Sequence, residues 1–128
     1  MGRFHELKVW QQSKDLAVTI YRITERGKFG QDFGFRDQIR RAAISVSSNI
    51  AEGDELDTNL QSIRHFYIAK GSAAEVLSQA IVASEIGFLK PEEFQEIQAT
   101  CVSISKMLMK LIQARRIGGA KPENKKVI

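Results

Sequence analysis

Apolar residues recur along this chain at steps of three and four, the period of an amphipathic helix, and nowhere alternate at steps of two over a useful length. Four helical segments follow from that pattern. The first covers about residues 7–26, with Leu16, Ile20 and Ile23 on one face, Trp10, Ala17 and Tyr21 beside them, and Gly27 as its stop signal. Gly30 and Gly34 punctuate the connector that follows. The second segment, residues 38–53, reads QIRRAAISVSSNIAEG. Ile39, Ala43, Val46 and Ile50 form its main stripe, Ile44, Ser48 and Ala51 a smaller one, and Arg36 and Arg40 run between the two. One apolar stripe serves a surface helix of a monomer; a second, built of small residues, points to close approach by another helix or another subunit.

Thr58, with Gln61 three positions on, has the spacing of a capping box and opens the third segment, residues 58–86. From Phe66 to Ala83 this segment is apolar on most sides, interrupted chiefly by Lys70, Glu75 and Gln79. A helix of that kind needs more cover than a bundle of four supplies, which predicts an oligomer. Ala73, Ala80 and the stripe of Ile44, Ser48 and Ala51 are its candidate subunit-interface residues. Gly87 stops the segment, and Pro91, followed by Glu92 and Glu93 at the positive end of the helix dipole, opens the fourth. Its seam is Phe94, Ile97, Cys101, Ile104, Leu108 and Leu111. Short connectors make neighbours antiparallel. The expected fold class is therefore all-α, an antiparallel up-and-down four-helix bundle over residues 1–116 with a flexible basic tail over 117–128.

Composition narrows the chemistry. The chain has 128 residues, enough for one domain with its own core, and a single cysteine, so neither an intrachain disulfide nor a cysteine-based metal site is expected. The two histidines, His5 and His65, have Gly2 and Ser62 three positions before them, which excludes the Glu-x-x-His pairs of a di-iron bundle. The start, MGRFHELKVW, is charged at once and no run approaches ~20 apolar residues, so no signal peptide or membrane helix is predicted and the expected location is cytoplasmic. No cofactor and no small-molecule substrate are expected. The net charge of +4 is accounted for by Arg115, Arg116, Lys121, Lys125 and Lys126 less Glu123, at the C-terminal end.

Three clusters compete for a functional role. Arg36, Arg40, Arg41 and Arg64 fit a phosphate-binding patch, to which the C-terminal Arg115, Arg116, Lys121, Lys125 and Lys126 would add. The structural alternative pairs Arg40 and Arg41 with acidic side chains such as Glu52 or Glu75, within the bundle or across a subunit boundary, and no aromatic residue interleaves with the arginines as single-strand binding would favour. Ser45, Ser47, Ser48 and Asn49 form a polar cluster better suited to tight helix packing than to chemistry. Glu92, Glu93 and Glu96 have the E-E-x-x-E spacing of a magnesium site, resembling the all-α nucleotide pyrophosphohydrolases. The second acidic pair such a site needs is missing downstream, where only Glu123 remains, and acidic residues at a helix N-terminus account for the cluster more simply. Cys101 lies on the core seam, a place for burial and not for nucleophilic attack.

FxELKVWQ near the start, FGQDFGF in the connector, QIRRAAISVSSNIAEG and IRHFYIAKGSAAE together resemble the 23S rRNA intervening sequence family over about residues 4–116. Arg40 with Arg41, the NIAEG run at 49–53, and Gly71 with Ser72 are the most specific parts. The resemblance implies a four-helix bundle assembling as a homopentamer, without established enzymatic activity. It also implies similarity in fold to the accessory proteins of diversity-generating retroelements, basic pentamers that bind nucleic acid and a reverse transcriptase. Two departures stand out. Ser47 occupies a position where members usually carry proline, and Asp54, Glu55 and Asp57 replace a basic, serine-containing link. The expected function is a non-enzymatic scaffold that binds itself and, weakly and without sequence specificity, nucleic acid. The alternative is a magnesium-dependent nucleotide pyrophosphohydrolase using Glu92, Glu93 and Glu96.

Overall fold

The structure, a computed structural model, describes residues 3–56 and 58–118, with the backbone alone for Ile117 and Gly118. A 3-10 turn, Phe4–Glu6, precedes five helices: α1 (Lys8–Ile23), α2 (Gly27–Gln31), α3 (Phe33–Glu55), α4 (Asn59–Glu85) and α5 (Pro91–Gly118). The four long helices pack in the cyclic order α1, α3, α4, α5, and α2 is a short link. Paired positions fix their directions. Gly53 meets Ser62, Asn49 meets His65 and Ser45 meets Ser72, so α3 and α4 run antiparallel. The end of α5 reaches the start of α4 through Arg116 and Tyr67, and Arg26, just past α1, meets Glu93 at the start of α5. Among the described residues no helix is long and apolar enough to cross a membrane.

The stripes of the sequence become the core. Ile39, Ala43, Val46 and Ile50 are fully buried on α3, as are Ile97, Cys101, Ile104, Leu108 and Leu111 on α5. On α4 the buried line is Phe66, Ala69, Ala73, Val76, Ala80 and Ala83, again in steps of three and four. Start signals hold as well: the Thr58 hydroxyl oxygen accepts the Gln61 N–H at 3.2 Å, and Glu93 Oε1 accepts the Lys90 N–H at 2.9 Å, half of a capping box before Pro91. Gly87, at φ +82°, ends α4 with the Phe88 N–H donating to the Ala83 carbonyl at 2.8 Å, a Schellman closure.

The connector differs from expectation. Residues 27–37, expected as a loop punctuated by glycine, are mostly helical, and α3 starts at Phe33 instead of residue 38. Asp32 is the reason on the polar side, its carboxylate accepting the Phe35 N–H at 3.1 Å as an N-cap. The apolar reason is a ring cluster: Phe29 stacks against Phe35 and Phe88 with centroids 5.1 and 5.3 Å away, closing this end of the bundle. Likewise α1 ends at Ile23, before Gly27, where the Thr24 hydroxyl donates back to the Ile20 carbonyl at 2.7 Å.

At Gly53 α3 packs tightly against α4. A Cβ there would sit 2.6 Å from Phe66 Cε1 and 2.9 Å from Cδ1, and the Phe66 ring is fully buried and cannot yield. Gly53→Ala should therefore lower the urea midpoint, by about 1–3 kcal/mol of stability for overpacking, which outweighs the roughly 0.5–1 kcal/mol alanine gains inside a helix. Equal or higher stability by urea denaturation would contradict this account of the helix contact.

Candidate functional site

Arginine placement decides which residues remain available to a partner. Arg40 is committed: its Nε donates to Thr24 Oγ1 at 2.8 Å, its Nη2 to the Tyr21 carbonyl at 3.3 Å, and its guanidinium lies 4.5 Å from the Tyr21 ring centre. A cation at the C-terminal end of α1 complements that helix dipole and ties α1 to α3. Within the single chain neither Glu52 nor Glu75 pairs with it; Glu52 instead faces His65. Arg36 bonds to Asp37 at 3.0 Å and to the Gly30 carbonyl at 3.3 Å, with its guanidinium 4.7 Å from the ring centre of Phe33. Arg116 donates to the Tyr67 hydroxyl at 2.6 Å. Arg41 and Arg64 are exposed and make no ion pair among the described residues. Lys121, Lys125 and Lys126, like Asp57 of the acidic link, lie outside the described residues.

Aromatic rings do interleave with the arginines once the chain is folded. Phe33 and Arg36 are neighbours on one helix, three residues apart, a pairing visible in the sequence that linear inspection of the arginine-rich segment passed over. Tyr21 with Arg40 and Tyr67 with Arg116 come from different helices, so only the fold reveals them.

Arg115 corrects the picture of a basic tail. It is 3% exposed, its Nη2 donates to Asp54 Oδ1 at 3.2 Å, and its guanidinium lies 5.3 Å from the Phe66 ring centre. Its Nε and Nη1 have no hydrogen-bond acceptor among the described residues. Burial lowers the Arg115 pKa while the Asp54 charge and hydrogen bond oppose that shift. Arg115 is thus withdrawn from any surface patch, and Asp54, the first residue of the acidic link, is its internal counter-ion. In position, Arg115 extends the α5 core seam four residues past Leu111, a continuation the periodicity offered.

Of the interface candidates, Ile44 is 42% exposed, Ser48 is exposed and Ala51 is half-buried. Ala73 and Ala80, at 1% and 0%, lie inside the core of the single chain, because they fall on the inward line of α4. The outward residues of that helix include Ile68, Ile81 and Val82. The polar cluster of α3 stitches it to α4: Ser45 and Ser72 hydroxyls lie 2.8 Å apart, Asn49 Nδ2 donates to the Ser45 carbonyl at 2.9 Å, and Asn49 Oδ1 faces His65 Nδ1 at 3.0 Å. Ser47 turns away and bonds back to the Ile44 carbonyl at 3.2 Å.

Glu92, Glu93 and Glu96 do not converge. Glu93 is spent on the Lys90 N–H and on an ion pair with Arg26, while Glu92 and Glu96 are exposed. No group of three or more His, Cys, Asp or Glu able to hold a metal ion occurs among the described residues. Burial would raise the Glu93 pKa, but the Lys90 N–H, the Arg26 hydrogen bond and the charges of Arg26 and Lys90 together hold it below its usual value. Cys101 is buried, and desolvation pushes its thiol up to about 12, too high for a nucleophile.

Two outcomes follow. Asp54→Ala leaves the Arg115 charge buried and alone and should cost roughly 3–5 kcal/mol, whereas Arg115→Met combined with Asp54→Leu should cost far less, both read by urea denaturation. Because the Glu93 pKa is lowered in the fold, its contribution is complete above the ordinary value of 4.5 and is lost as pH falls through the lowered one. The stability gap between the parent and Glu93→Gln should therefore be present at pH 7 and shrink under acid. A gap that widens on acidification would reverse the sign of this argument.

The family model of 23S rRNA-intervening sequence proteins matches residues 5–110. Among solved structures, a protein with unknown function from the S23 ribosomal protein family of Bacteroides thetaiotaomicron aligns with a TM-score of 0.76 at 23% identity, over 82% of this chain and 98% of that one. At that identity the likeness speaks to the fold. No curated protein matches. With the match running from within the 3-10 turn through α1 to α4 and most of α5, the chain belongs to the 23S rRNA-intervening sequence protein family.

Proposed function

We propose that this chain is a non-catalytic assembly module: it self-associates as a homo-oligomer, of five subunits on the family resemblance, and offers arginines weakly and without sequence preference to nucleic acid. One observation carries the reading. The chain closes a core of its own yet keeps large apolar side chains outward, among them Ile44 at 42%, Ile68 at 46%, Ile81 at 41% and Val82 at 51% exposure. Single exposed apolar residues are ordinary, but these recur along α3 and α4 next to further ones on α1 and α5, as a surface awaiting cover does. For the nucleic-acid part, Arg41 and Arg64 are the two of Arg36, Arg40, Arg41 and Arg64 that make no ion pair or hydrogen bond among the described residues, and an oligomer repeats each weak contact once per subunit.

Light scattering behind a sizing column should give a mass several times the 14.4 kDa of one chain at micromolar concentration. Filter binding of structured RNA, single-stranded DNA and duplex DNA should show retention that falls steeply with salt, because phosphate contacts release counterions. Arg41→Ala with Arg64→Ala is the informative variant, since Arg40 secures α1 and its loss would confuse binding with stability. A monomer refutes the assembly reading. Failure to retain any of the three nucleic acids at low salt refutes the second part and leaves a protein partner as the better candidate.

A further inference from the structure

At one end of the bundle the links that follow α1 and α4 meet the start of α5 around a small open pocket of about 260 Å³. Its floor is apolar. Ile23 and Leu89 are buried there, and the Phe88 ring beside them is held by Phe29 and Phe35, with centroids 5.3 and 6.1 Å away. Its rim is cationic: Arg26 comes from the link after α1, Lys28 from α2 and Lys90 from the link before α5. One carboxylate, Glu93, also lines the pocket, and both of its oxygens are engaged. Oε1 accepts the Lys90 N–H, and Oε2 pairs with Arg26. The side chains of Lys28 and Lys90 make no ion pair among the described residues. Glu25 and Glu92, the neighbouring acids in sequence, are exposed and line no part of the pocket.

Size and charge together limit the occupant. The volume falls below the roughly 300 Å³ at which pockets for drug-sized ligands begin, so the pocket suits a small molecule. Its lining cations outnumber its carboxylate by two. A phosphate monoester carries about −1.5 to −2 at neutral pH and matches that surplus, where a lone carboxylate would leave half of it unmet. The arginine fork and the two ammonium groups supply charge-assisted donors for the phosphate oxygens. Below them the Phe88 ring and Leu89 offer an apolar seat for whatever the phosphate is attached to. We infer that this pocket binds a small free phosphate monoester, with the phosphate at the rim and a compact apolar or flat body on the floor. Only the fold gathers Arg26, Lys28 and Lys90; the composition gave no reason to expect such a ligand. The pocket lies on an end of the bundle, not on a side, so the inference stands whether or not the chain assembles.

Isothermal titration calorimetry with phenyl phosphate, inorganic phosphate and phenol tests both halves of the site. Phenyl phosphate should saturate one site per chain and bind more tightly than either of the other two. Lys28→Gln with Lys90→Gln should weaken it by about tenfold or more, because two charge-assisted contacts are lost. Lys106→Gln with Lys110→Gln removes the same charge elsewhere on the surface and should leave binding unchanged. Circular dichroism checks the fold, and Lys28→Gln alone serves if the pair misfolds. Acidification to about pH 5 should also weaken binding, since the second phosphate ionisation lies near pH 6. Glu93, held below its usual value, stays ionised there, and no histidine lines the pocket, so the ligand is the group that changes. Absence of saturable binding at millimolar phenyl phosphate, or unchanged affinity in the Lys28 and Lys90 variant, overturns the site. Equal affinity for phenyl phosphate and inorganic phosphate overturns the role of the floor and leaves an adventitious ion only. A 5′-phosphorylated trinucleotide that binds more tightly than phenyl phosphate overturns the assignment to a small free molecule in favour of a strand end.

Discussion

The contact between Gly53 and the Phe66 ring sets the spacing on which the rest of the bundle depends. No side chain larger than hydrogen fits at position 53, so α3 and α4 approach closely there. That approach lets the Ser62 hydroxyl donate to the Gly53 carbonyl at 2.6 Å and places Phe66 under the guanidinium of Arg115. Through Arg115 and Asp54 the end of α5 is held against the end of α3, so three helices share one small joint. A buried ion pair of this kind is poor evidence of added stability, since well-packed apolar residues serve as well or better. What it provides is geometry: among the described residues the buried Arg115 meets the carboxylate of Asp54, and meets it only when α5 is seated.

Much of this was legible in the sequence because helix periodicity and capping are local. The inward stripes of α3 and α5, the Thr58 cap, the Gly87 stop and the Pro91 start all depend on residues within a turn or two of each other. The helical connector was not legible, because its glycines are ordinary turn signals that mask the local Asp32 cap, and its ring cluster is completed by Phe88, more than fifty positions away in the chain. Helix α4 was harder for a different reason. With apolar residues on nearly every side, its sequence could not say which side faces in, so Ala73 and Ala80 resembled surface as much as core.

The candidate site was less legible than the fold because charge is blind to direction along a sequence. Arg40, Arg41, Arg115 and Arg116 form two adjacent pairs, yet within each pair one member turns inward and its neighbour faces solvent. A helix rotates by about 100° per residue, so adjacent arginines never share an environment. The same rotation separates Glu93, which caps α5 and pairs with Arg26, from Glu92 beside it.

The ladder of Ser72, Ser45, Asn49 and His65 has a consequence for how α3 and α4 are indexed against each other. Alanine, valine and isoleucine lines are forgiving: a slide of one helical turn, about 5.4 Å, would still set apolar against apolar. The hydroxyls and the amide are not forgiving. Such a slide would part Ser45 from Ser72 and Asn49 from His65 together, stranding several half-buried polar groups at once. The polar rungs thus work like the teeth of a zip. The apolar seam draws the two helices together, and the teeth admit one alignment.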